Sequence, residues 1–109
     1  MKLLSELLAQ PIEAFEEMDY IFHYFKPSEI QAPYGVWIEG PEESFSADNG
    51  KAERTLTCTM EFYSQTEADS KINEIEAAFI SMGASWTFVG SQYEEETALI
   101  HYSWEWSVS

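Results

Sequence analysis

The sequence predicts a single α+β domain, a mostly antiparallel sheet of about four to five strands packed against two helices. Three observations predict it. The C-terminal segment alternates without a break, with Ala98, Ile100, Tyr102, Trp104, Trp106 and Val108 on one parity and Thr97, Leu99, His101, Ser103, Glu105 and Ser107 on the other. A second alternation runs from Arg54 to Tyr63, with Leu56, Cys58, Met60 and Phe62 against Thr55, Thr57, Thr59 and Glu61. Between the two lies an amphipathic helix, and no β-α-β rhythm long enough for a doubly wound sheet surrounds it. At 109 residues the chain can close one modest core but not two, so residues 1–109 are read as one domain.

Taken in order, Leu3, Leu4, Leu7 and Leu8 share one face of a short helix expected to end near Pro11. Ile12, Phe15 and Met18 then suggest a turn of helix, and YIFHYF before Pro27 suggests a short strand. A further strand is expected from Tyr34 to Glu39. Gly40, Pro41, Asp48, Asn49 and Gly50 announce a long polar connection over about 40–51, in which Phe45 is an isolated aromatic. The strand from Arg54 to Tyr63 follows.

The second helix is expected to open with Thr66 as its cap and Glu67 and Asp69 in its positive first turn, and to close at Gly83 in a left-handed conformation. Ala68, Ile72, Ile75, Phe79 and Met82 would make its buried stripe. The segments ASWTFVGSQY and TALIHYSWEWSVS then read as an antiparallel hairpin through the intervening glutamates.

Composition narrows function. Twenty acidic residues against five basic ones give a formal charge of −15, and the basic residues Lys2, Lys26, Lys51, Arg54 and Lys71 are scattered. No face can offer the stripe of positive charge that neutralises phosphates, so sequence-specific nucleic-acid binding is not expected. The lone Cys58 sits on the apolar parity of its strand, which fits a buried thiol and leaves no intrachain disulfide; folding in the cytosol is the natural expectation. The N-terminal MKLLSELLAQP, interrupted by Ser5 and Glu6, is not read as a signal peptide, and nothing approaches a membrane span.

Chemistry finds little purchase. Glu94, Glu95 and Glu96 are consecutive, and neighbours in extended chain point to opposite sides, so they read as a solvated turn and not as a metal or acid/base cluster. His23 and His101 stand alone in different strands without zinc-ligand spacing, and read as surface or interface imidazoles. No nucleophile elbow, P-loop or dinucleotide fingerprint is present. The tryptophans Trp37, Trp86, Trp104 and Trp106 fit core packing better than a base-stacking platform, which would need a positive groove. No catalytic residue, cofactor or metal is assigned.

Read in order, PYGVWIEG, ESFSADNGKAERTLTCTMEFYS, SKINEIEAAFISMGASW and YEEETALIHYSWEW resemble a family of small tail-completion or tail-terminator proteins of long-tailed bacteriophages and prophages, also described as head-tail joining or minor tail proteins. The resemblance spans residues 33–107. It implies a non-enzymatic virion component, monomeric when free and assembled in the host cytoplasm, that forms a ring, usually a hexamer. The ring would sit at the head-proximal end of the tail, contacting tail-tube and head-tail connector proteins, with DNA passing through it. On that reading Phe45 is an apolar anchor in an assembly loop that also holds Asn49, and Glu42, Glu43, Asp48, Glu94, Glu95 and Glu96 are candidates for the lumen or the interface. A different class of function would be an acidic mimic of DNA that occupies a basic groove on a host enzyme.

Overall fold

One long strand organises the molecule. In the computed structural model, which describes residues 2–41, 43–46 and 52–109, the chain forms α1 (Leu4–Phe15), β1 (Ile21–His23), β2 (Tyr34–Glu39), β3 (Glu43–Ser46), β4 (Ala52–Ser64), α2 (Lys71–Met82), β5 (Ser85–Glu94) and β6 (Leu99–Val108). The sheet order is β1-β2-β4-β6-β5, so β4 takes a partner on each edge. Every pairing is antiparallel except β1 with β2. The predicted α+β class, with a mostly antiparallel sheet and two helices, is the one observed.

β3 lies inside the stretch read as a polar connection. Its register continues that of β2 along β4: Glu39 faces Cys58, Glu43 faces Thr55, and one extra residue is taken up between them. The Gly40 N–H donates to the Thr57 carbonyl at 2.7 Å on the way. Because β6 stops at Val108 opposite Leu56, the β3–β4 pairing runs past the end of the other strands as a two-stranded extension. A strand the length of β4 is about 44 Å long at about 3.4 Å per residue, which is most of the molecule's 52 Å long dimension.

Both helices differ from expectation at one end. α1 does not stop near Pro11 but continues to Phe15, because Leu7, Pro11 and Phe15 recur every fourth residue and are all buried. Burying that face offsets the one helical hydrogen bond that proline cannot make. The Glu6 carboxylate accepts the Leu3 N–H at 3.0 Å at its start. α2 begins at Lys71, not near Thr66, since Ala68 takes a left-handed φ of 51° that interrupts any earlier turn. Asp69 does the capping that Thr66 was expected to do: its Oδ1 accepts the Lys71 N–H at 2.9 Å while its Oδ2 accepts the buried Ser64 hydroxyl at 2.7 Å. Ala68 therefore lies off the helical stripe. At the other end Gly83 adopts the expected left-handed conformation, φ 70°.

The core sits between the two helices and one face of the sheet. Alternate residues Leu56, Cys58, Met60 and Phe62 of β4, Trp37 of β2, and Trp104, Trp106 and Val108 of β6 are buried there against Leu7, Phe15, Ile75 and Phe79. Phe15 is the hub, with ring centroids 5.9 Å from Trp37, 5.9 Å from Trp106 and 6.3 Å from Phe79. Burial pushes the Cys58 thiol up to about 12, with the Glu39 charge adding to it, so the thiol stays protonated and inert.

Candidate functional site

The acidic residues singled out in the sequence fall into two groups that the fold keeps apart. Glu43 and Phe45 lie on β3, opposite Thr55 and Glu53; Glu42, Asp48 and Asn49 lie outside the described residues. Glu94 ends β5 opposite Leu99, and Glu95 and Glu96 are exposed in the β5–β6 turn. The Glu94 carboxylate accepts the Thr97 hydroxyl at 3.3 Å, closing that turn. Since β6 pairs Ile100 with Ser64, the turn sits at the far end of β4 from β3, roughly 30 Å away at about 3.4 Å per residue. No group of three His, Cys, Asp or Glu residues converges as a metal site among the described residues.

What the strand register does assemble is the sheet face that points away from the helices. Tyr34, Tyr63, His101 and Gln92 stand side by side across β2, β4, β6 and β5. The first three rings stack, Tyr34 on Tyr63 at 4.9 Å and Tyr63 on His101 at 4.4 Å between centroids. One row along, Glu61 accepts hydrogen bonds from His101 and from Ser103 through the same carboxylate oxygen. The face also carries Thr55, Thr57, Thr59, Ser85, Thr87, Glu105 and Ser107, with Phe22, Val36 and Ile38 toward the β1–β2 side and Glu94 and Leu99 toward the β5–β6 turn, and none of these strand positions is Lys or Arg. Burial, with the Glu94 charge behind it, holds the Tyr34 and Tyr63 hydroxyls above the usual phenol range, so both remain neutral donors.

Ser103, His101 and Glu61 are the residue types of a hydrolytic triad, but their arrangement is not one. A working triad uses one ring nitrogen for the acid and the other for the nucleophile. Here Nε2 of His101 meets Glu61, and the Ser103 hydroxyl lies 3.5 Å from that same nitrogen. The cluster cross-links β4 to β6 and presents a flat, hydrogen-bonded, aromatic surface.

His23 is held in a second such cluster on the opposite face. Its ring stacks at 3.7 Å on Trp37 and at 3.8 Å on Tyr24, and Nε2 lies 2.7 Å from Glu39. Burial works against the Glu39 charge, but the hydrogen bonds from Tyr24 and His23 outweigh it and hold the carboxyl below its ordinary range. Both histidines, read as isolated from the sequence, are thus stacked on aromatic side chains beside a glutamate, His23 between two rings and His101 against one. The sequence holds no signal for these contacts, because they join residues whose proximity depends on strand register.

No protein-family model and no curated protein matches the chain. Eleven chains of solved structures do. One is a chain from the "Virion of native gene transfer agent (GTA) particle", 10% identical, with a TM-score of 0.50 over 95% of this chain and 91% of that one. At that identity the likeness is one of fold.

Proposed function

We propose that this chain is a non-enzymatic structural protein of a phage or prophage virion, acting at the head-proximal end of the tail in tail completion and head-tail joining, as a ring of copies. The observation that carries this reading is the fold it shares, over nearly its whole length, with a chain of a virion. The ordered resemblance of residues 33–107 to tail-completion proteins supports the finer assignment.

The surfaces are suited to the role. A wall along which DNA slides works best when it does not bind phosphate, and the helix-free sheet face is hydroxyl-rich with no strand position occupied by Lys or Arg. Glu43 near one end of β4 and Glu94, Glu95 and Glu96 at the other would ring the two mouths of such a channel, with Glu42 and Asp48 as further candidates for the lumen or the interface. The β3–β4 extension, with Phe45 as an apolar anchor and Asn49 in its connection, is a contact element between copies or to the connector. An acidic decoy needs its carboxylates arrayed along one exposed face, and here the open face is mostly uncharged.

The test is to disrupt the gene in a host that makes particles. Heads and tails should accumulate unjoined, with tails of irregular length in electron micrographs; normal joined particles would refute the assignment. Phe45→Ala should give the same assembly defect while the purified monomer melts within a few degrees of the parent.

A further inference from the structure

On the helix side of the sheet, α2 leaves the β5–β6 hairpin partly uncovered. The gap is a groove of about 580 Å³ with Ile72 and Glu76 of α2 on one wall, Phe88 and Tyr93 of β5 on the other, and Ile100 and Trp104 of β6 in its floor. Phe88 and Tyr93 are 46% and 59% exposed, large apolar groups left facing water. The ionisable side chains lining the groove other than tyrosines are Glu67 and Glu76; it holds no lysine or arginine.

We propose that this groove is a docking site for a segment of another protein that carries an apolar anchor flanked by lysine or arginine. Three features select that occupant. The apolar floor asks for one or two large side chains, and the volume is that of a pocket for a short segment of chain. Two carboxylates in a lining that has no lysine or arginine favour cationic flanks, desolvated little and held at the rim. A second copy of this chain, with five scattered basic residues, has no apolar segment flanked by several lysines or arginines to offer this groove, so contacts between copies would use other surfaces. A strand added to β5 is disfavoured as well, because the register slips between Phe88 and Gly90 and bends that edge. The segment therefore lies in the groove by its side chains. The proposal rests on the structural-role reading only in taking the partner to be a protein.

Trp104 supplies the reporter, since its indole N–H donates to Glu76 at 2.9 Å on the groove wall. The probes are two synthetic peptides, Lys-Lys-Leu-Phe-Lys-Lys and Glu-Glu-Leu-Phe-Glu-Glu, titrated into the ¹⁵N-labelled protein. The lysine peptide should move the Trp104 indole signal and the Tyr93 and Ile100 amides, and the glutamate peptide should not. Binding should weaken about tenfold in the Glu67→Gln/Glu76→Gln double variant, and raised salt should weaken binding to the parent about tenfold while changing the double variant little. Phe88→Ala should weaken it comparably with every charge intact, and Tyr93→Ala serves the same purpose if Phe88→Ala disturbs the fold. Shifts scattered over the acidic surface, equal binding by the apolar-deleted variants, or no shift at the groove would each overturn the proposal. Ring assembly by a protein that fails these titrations would remove this inference and leave the structural role standing; peptide binding by a protein that forms no particles would do the reverse.

Discussion

The indole N–H of Trp104 in β6 donates a 2.9 Å hydrogen bond to the Glu76 carboxylate of α2, while the neighbouring Trp106, equally buried, has no partner for its Nε1 among the described residues. Replacing each tryptophan by phenylalanine removes similar apolar area but different polar obligations. Trp104→Phe should destabilise the protein by about 1–2 kcal/mol more than Trp106→Phe, read from urea unfolding followed by circular dichroism. Equal losses would mean that the Glu76 bond contributes nothing.

The Tyr63–His101 stack at 4.4 Å joins β4 to β6 on the open face. A double-mutant cycle on Tyr63→Ala and His101→Ala should return a coupling of about 0.5–1.5 kcal/mol. Because the face is only half-buried, each single variant should still fold, and any larger defect in particle assembly would locate a contact there.

Stability should fall at both ends of the pH scale, for opposite reasons. Glu39 has a folded pKa below its unfolded one, so its contribution is present above about pH 4.5 and is lost as pH falls through the folded value. Being partly solvated, it is worth less than about 1 kcal/mol, and Glu39→Gln should flatten the acid limb by that amount. Tyr20, Tyr34 and Tyr63 are raised, chiefly by burial. Their contribution is complete below about pH 10 and is lost as pH rises through the folded values. Melting temperatures from pH 3 to 11, with tyrosinate absorbance followed in parallel, check both limbs.

Gly83 closes α2 at φ 70°, with open space where a side chain would sit. Gly83→Ala should therefore cost about 1 kcal/mol through backbone strain alone, measured by thermal melting. A neutral result would show that the chain relaxes out of the left-handed cap.

Like charge opposes ring closure. If copies of this chain meet around a channel, sedimentation at high protein concentration should show more of the large species at 0.5 M salt than at 0.05 M, since the screening length falls from about 14 to about 4 Å. The opposite trend would mean that oppositely charged contacts hold the copies together.

What the sequence determined by itself is the parity of the strands and the identity of the core. Trp104, Trp106, Val108, Leu56, Cys58, Met60 and Phe62 are buried because a two-residue period sends alternate side chains to one side whatever the neighbours are. Gly83 was legible for a similar local reason: one residue type tolerates that backbone. Tertiary contacts alone decided the rest. Pro11 stays helical because Phe15 reaches Trp37 and Trp106. Asp69 caps α2 because Ser64 at the end of β4 fixes its carboxylate. The Tyr34–Tyr63–His101 column, the His23 sandwich and the groove beneath Phe88 arise from residues distant along the chain. Their contacts follow from which strand lies beside which, and at what register, and local periodicity carries no information about either.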